Sequence, residues 1–71
     1  MTKTTKNITI NEKNTGFEVR NNYKTVATTN NIHEAEKIAY EIAKAENKKI
    51  IENTEFYKMT FTIEEMERMV G

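Results

Sequence analysis

The chain contains no cysteine, serine, aspartate, proline or leucine, and only two glycines. Without cysteine there are no disulfides, thiolate nucleophiles or cysteine metal sites. Without serine, cysteine and aspartate, neither a Ser-His-Asp nor a Cys-His arrangement can be assembled. The single histidine, His33, cannot make a two-histidine metal site. It falls in the first turn of a predicted helix, where it is expected to face solvent, so no metal is expected. Gly16 and Gly71 are too few and too far apart for a phosphate-cradling loop, and no cofactor is expected. No apolar run approaches the roughly 18 residues of a membrane span. Lys3 and Lys6 are not followed by the apolar segment of a signal peptide. The reading is of a cytoplasmic protein with no membrane partner.

What is present describes one small α+β domain. The chain of 71 residues has room for one domain and buries a modest share of its surface. Its stability must come from packing or from self-association. The hydrophobic fraction of 37% and the charged fraction of 31% are those of a globular protein. In the absence of leucine, eight Ile, three Val and four Met supply the aliphatic bulk. Abundant Lys, Asn, Ile and Glu point to an AT-rich genome, that of a low-GC bacterium or a phage. The net charge is zero, yet residues 1–31 carry +3, residues 32–49 are balanced and residues 50–71 carry −3. That distribution is either ordinary surface variation, a basic N-terminal face, or complementary ends that self-associate.

Residues 1–7 are polar and Thr-rich and read as a flexible N-terminal tail before a domain spanning 8–71. Ile8–Asn11 alternates in the strand period, Lys13–Gly16 carries a turn signal, and Phe17–Arg20 alternates again. Asn21-Asn22 is the second turn candidate, and Tyr23–Thr29 is β-branched. These three segments predict an antiparallel meander with Ile8, Ile10, Phe17, Val19 and Val26 on its inner face.

A helix is predicted over about 32–46. Asn31 can cap its start, and Asn47 can stop its end. Ile32, Ala35, Ile38, Ala39, Ile42 and Ala43 form one stripe, with an Ala35–Ala39–Ala43 ridge small enough to let the backbone approach a sheet. Glu34, Lys37, Glu41, Lys44 and Lys48 are assigned to the opposite face. Ile50-Ile51 opens a further strand, and residues 50–61 form either a hairpin or one strand. Tyr57, Met59 and Phe61 share one side of it. Thr62 and Glu65 have the spacing of a capping box and start a short C-terminal helix with Ile63, Met66 and Val70 inward. The expected fold is a three-stranded meander packed on one amphipathic helix, followed by a short strand or hairpin and a short helix.

Glu64, Glu65 and Glu67 crowd an exposed helix start, where the dipole favours negative charge, and do not read as an acid–base pair. No catalytic residue is assigned. Tyr40 lies off the apolar stripe, either covering the C-terminal segment or anchoring a partner. Tyr57, Met59, Met66 and Met69 make an adaptable apolar group near the C-terminus, either core filler or an interface. A second candidate surface is the outer sheet face, where Thr9, Asn11, Lys13, Arg20 and Asn22 point away from the helix. Lys3 and Lys6 would add phosphate contacts. The order strand–strand–strand–helix, with Gly16-Phe17-x-Val19 and His33-Glu34-Ala35-x-x-x-Ala39, resembles the AP2-like sheet-and-helix DNA-binding modules of phage integrases over roughly residues 8–46. That resemblance implies DNA reading by the sheet. The leading expectation is a non-catalytic protein-binding module, a phage or mobile-element accessory or inhibitor protein acting on a host protein or on a second copy of itself. The alternative is a small DNA-binding regulator.

Overall fold

Three antiparallel strands, β1 (Asn7–Lys13), β2 (Gly16–Asn21) and β3 (Lys24–Thr29), build the predicted meander in the computed structural model, which describes residues 4–70. Helix α1 (Ile32–Glu46) carries the chain back across the sheet, and its 15 residues span about 22 Å, roughly the length of a strand. The next strand, β4 (Lys49–Asn53), therefore starts where β1 starts and pairs with it in parallel. A tight loop returns β5 (Lys58–Phe61) antiparallel to β4, so residues 50–61 form a hairpin. Helix α2 (Ile63–Val70) closes the fold. The result is one mixed five-stranded sheet in the order β3-β2-β1-β4-β5, with both helices on one face.

The alanine ridge does what its side chains allow. Ala35, Ala39 and Ala43 are fully buried against Ile8, Ile10, Val19 and Ile50, with Met66 of α2 completing the core. Ile32, Ile38 and Ile42 flank the ridge and are half-buried. Asn31 caps α1, accepting from His33 N–H at 2.7 Å. Asn47 ends it in the left-handed conformation, with Lys48 N–H donating to Ala43 O at 3.0 Å. The second capping box is reciprocal: Thr62 N–H donates to Glu65 Oε1 at 3.0 Å, and Glu65 N–H to Thr62 Oγ1 at 3.1 Å. The bond from Thr62 N–H, and then that from the Thr62 hydroxyl, hold the Glu65 carboxyl below its usual range.

Three expectations are corrected. The tight turn between β2 and β3 is centred on Asn22 and Tyr23, both at positive φ, and Asn21 is a buried strand residue. Val26 is not inner. A register shift pairs Arg20 with Thr25 but Val19 with Ala27, so Val26 is the extra residue of a bulge, 47% exposed, and Ala27 takes its place against the core. Lys48 lies past the end of α1 and is buried rather than solvated. β1 begins at Asn7, and Thr5 ahead of it exchanges hydrogen bonds with Asn22. Gly16 sits at φ 151°, where a Cβ would collide with the Thr29 carbonyl oxygen, so the first turn requires glycine.

Candidate functional site

The β4–β5 hairpin presents the most exposed aromatic side chain of the molecule. Thr54 shapes its loop: Thr54 N–H donates to Tyr57 O at 2.8 Å, and Thr54 Oγ1 accepts from Phe56 N–H at 3.2 Å and Tyr57 N–H at 3.1 Å. Glu55 N–H donates to Glu12 Oε1 at 2.7 Å, which straps the loop to β1. The tip thereby holds Phe56 at 84% exposure, with Tyr57 following it in the loop and Met59 on β5. Met59 pairs with Glu52 and Phe61 with Ile50, so the Tyr57–Met59–Phe61 row lies on the helix side of the edge strand.

The predicted interface residues are thus divided. Tyr57 and Met59 are exposed and brought together. Met66 is fully buried and belongs to the core. Met69 is partly exposed on α2. Tyr40 is half-buried against the core, and the Lys44 ammonium lies 4.9 Å from its ring centroid. Phe56 was not singled out from the sequence. The available signal was an aromatic two residues beyond Thr54, inside the segment that forms the hairpin loop, where burial is hard to arrange.

Beneath the hairpin lies a pair of buried carboxyl groups that sequence reading missed. Glu52 alternates with Ile50 and so faces the core, where it is fully buried. Glu36 sits one helical turn beyond Ile32 and is 3% exposed. The two carboxyls are within hydrogen-bonding reach of each other. Burial, the bond to Glu52 and repulsion from it push the Glu36 carboxyl up to about 8. Tyr57 O–H donates to Glu52 Oε1 at 2.6 Å, a bond that, with lesser contributions from burial and the nearby carboxylates, raises the phenol to about 12. Glu52 Oε2 has no donor among the described residues. His33 Nδ1 approaches Glu36 Oε1 at 3.5 Å from a largely solvated side chain. No group of three metal-ligating side chains occurs among the described residues.

The opposite end of the sheet buries a charge of the other sign. Lys48 Nζ donates to Asn21 Oδ1 at 2.6 Å and to Asn22 Oδ1 at 2.8 Å, and pairs with Glu46 Oε1 at 2.9 Å. The bond from Lys48, and then that from Asn21 Nδ2, holds the Glu46 carboxyl below its usual range.

The outer sheet face carries the predicted nucleic-acid residues, and most are occupied. Arg20 pairs with Glu18 at 3.4 Å and donates to Tyr23 O at 2.8 Å. Lys13 pairs with the same carboxylate at 3.9 Å. Glu18 is held below its usual range first by the Thr25 hydroxyl and then by these cations. Asn11 Oδ1 accepts from Asn53 Nδ2, and Asn22 Oδ1 is taken by Thr5 and Lys48. Lys6 is exposed, and Lys3 lies outside the described residues. Among the described residues, no helix is long and apolar enough to cross a membrane. Comparison with protein-family models, curated proteins and solved structures finds no match.

Proposed function

We propose that the chain is a non-catalytic protein-binding module that takes an extended segment of a partner protein onto the free edge of β5, anchored by Phe56, Tyr57 and Met59. The observation that carries this reading is Phe56, 84% exposed in the loop that leads into an edge strand with no bulge. The other edge of the sheet differs: β3 is interrupted by the Val26 bulge, which discourages strand addition. A segment added to β5 gains main-chain hydrogen bonds, and its alternate side chains meet the Tyr57–Met59–Phe61 row. Its other side chains face Lys58, which makes no ion pair among the described residues, so the fitting partner is a strand alternating apolar and acidic residues. The carboxyl pair supports a non-catalytic reading, because both groups are buried away from any substrate in solvent. DNA reading by the sheet is less favoured, since Arg20, Lys13, Asn11 and Asn22 are already bonded within the protein. The composition supports a low-GC bacterium or phage as source and the cytoplasm as location.

The test is selection of a displayed library of random decapeptides on the wild-type domain, followed by binding measurements with the selected peptides. Apolar–acidic alternation is expected, with affinity falling at least tenfold in Phe56→Ala and Met59→Thr while both variants melt near the wild-type temperature. Peptides that bind both variants as well as wild type would sink the assignment. A concentration-dependent dimer disrupted by Met59→Thr would make a second copy the occupant instead.

A further inference from the structure

Building on that docking reading, we infer that Glu36 and Glu52 carry one proton between them and that this proton latches the β4–β5 hairpin against α1, so that the docking surface is ordered below neutral pH and released at alkaline pH.

The need for a proton follows from what surrounds the pair. From α1, His33 is the one basic group at ion-pair distance, and its imidazole stands mostly in solvent. From β1, Glu12 adds a further carboxylate, already committed to Glu55 N–H. From β5, the residue opposite Glu52 is the uncharged Met59. From the loop, Tyr57 O–H supplies one hydrogen bond, to Oε1 only. No lysine or arginine is paired with Glu36 or Glu52 among the described residues. Two adjacent buried carboxylates without a cation cannot both ionise cheaply, whereas one protonated carboxyl donates to the other and gives the second oxygen its missing donor. The upward displacement of Glu36 agrees with this arrangement.

Loss of the proton leaves two like charges in a site shielded from water. Something must separate, and the two sides are held unequally. α1 is fixed by three fully buried alanines packed on Ile8, Ile10 and Ile50. The hairpin beyond Glu52 is exposed from Glu55 to Thr60. β4 is held to β1 along its length and by the Asn53–Asn11 bond, but the loop beyond it is fastened only by the Glu12 strap and the Tyr57 hydroxyl, the Thr54 bonds lying within the loop itself. With β4 held against β1, the part of the hairpin beyond Glu52 is the side that yields, and Phe56, Tyr57 and Met59 move with it.

The experiment needs no partner, so its failure is distinct from failure of the docking assignment. Uniformly ¹³C,¹⁵N-labelled protein is titrated from pH 5 to 9.5 by NMR, following the glutamate carboxyl carbons and the exchange protection of the Thr54 and Tyr57 amides. One carboxyl of the pair is expected to titrate near 8, and protection to fall about tenfold per pH unit as the latch opens. Glu36→Gln retains a donor without a titratable proton and should keep the amides protected to pH 9. Tyr57→Phe cuts the tie above the pair and should lower protection at every pH. Both carboxyls titrating at 4 to 5, or an unchanged pH dependence in Glu36→Gln, would overturn the latch. So would recovery of protection at pH 9 on adding millimolar Mg²⁺, which would put a cation in the place of the proton.

Discussion

Lys48 and Glu52 are buried at opposite ends of the same sheet, and their surroundings differ in kind. The Lys48 ammonium has three donors and meets three oxygens, two amide and one carboxylate, so its charge and its hydrogen bonds are matched. Glu52 has two acceptor oxygens, one phenol donor and a second carboxyl as neighbour. The first end tolerates a permanent charge because counter-charge and acceptors converge on it. The second must bind a proton, because no cation does. Burial alone therefore says little about whether a charge stabilises a fold; the count of matched partners decides.

The largest effect is expected from breaking the matched end. Lys48→Met leaves Asn21 Oδ1 without its donor and the Glu46 carboxylate without its cation, while Asn22 Oδ1 keeps the Thr5 N–H; it should cost about 2–3 kcal/mol in urea unfolding at pH 7, less than a fully buried pair because Glu46 is partly solvated. Glu52→Gln removes a like charge and offers Glu36 an amide donor, so it should cost less than about 1 kcal/mol. Equal costs would mean that the two ends do not differ as described.

The next effect lies in pH, where the two ends have opposite signs. The raised Glu36 carboxyl contributes stability that is full below its unfolded value near 4.5 and is lost as pH rises towards about 8. The depressed Glu46 carboxyl contributes stability that is present above its unfolded value and is lost as pH falls through its folded one. Urea midpoints measured from pH 3 to 9 should then peak in mildly acid solution. Glu36→Gln should flatten the alkaline limb and Lys48→Met should weaken the acid limb; a single variant that flattened both would couple the two ends.

The unequal legibility of the two halves has a physical cause. Local signals were sufficient where local bonds decide: the Asn31 cap, the Asn47 stop, the Thr62–Glu65 box and the alanine ridge all stand where the sequence places them. The meander was legible because its turns are short. The parallel β1–β4 pairing was not, because a contact across some 40 residues leaves no periodic trace. Val26 was misplaced because a bulge shifts the strand period by one residue. Glu36 and Glu52 were passed over because a charged residue on a core-facing position is ordinarily read as the edge of the apolar pattern. In the strand, the Ile50-x-Glu52 alternation was the one available sign.

The smallest expected effect concerns the turn beside the Lys48 end. Asn22 and Tyr23 stand at φ 54° and 67°, the left-handed pair that a two-residue hairpin needs. Asparagine tolerates this conformation; an aromatic residue holds it against the clash of its Cβ with the backbone. The Tyr23 ring is mostly exposed, and the bond from Arg20 reaches its backbone oxygen, so neither opposes a change to glycine. Relief of about 1–2 kcal/mol is offset by the about 0.4–1 kcal/mol that a glycine adds to the freedom of the unfolded chain. Tyr23→Gly should therefore gain roughly 0.5 kcal/mol, or about 2–4 °C in melting temperature for a domain of this size. Tyr23→Ala retains the Cβ and should gain nothing. An equal rise in both variants would place the cost in the ring rather than in the backbone, and the left-handed turn would then be no weaker than the matched end it adjoins.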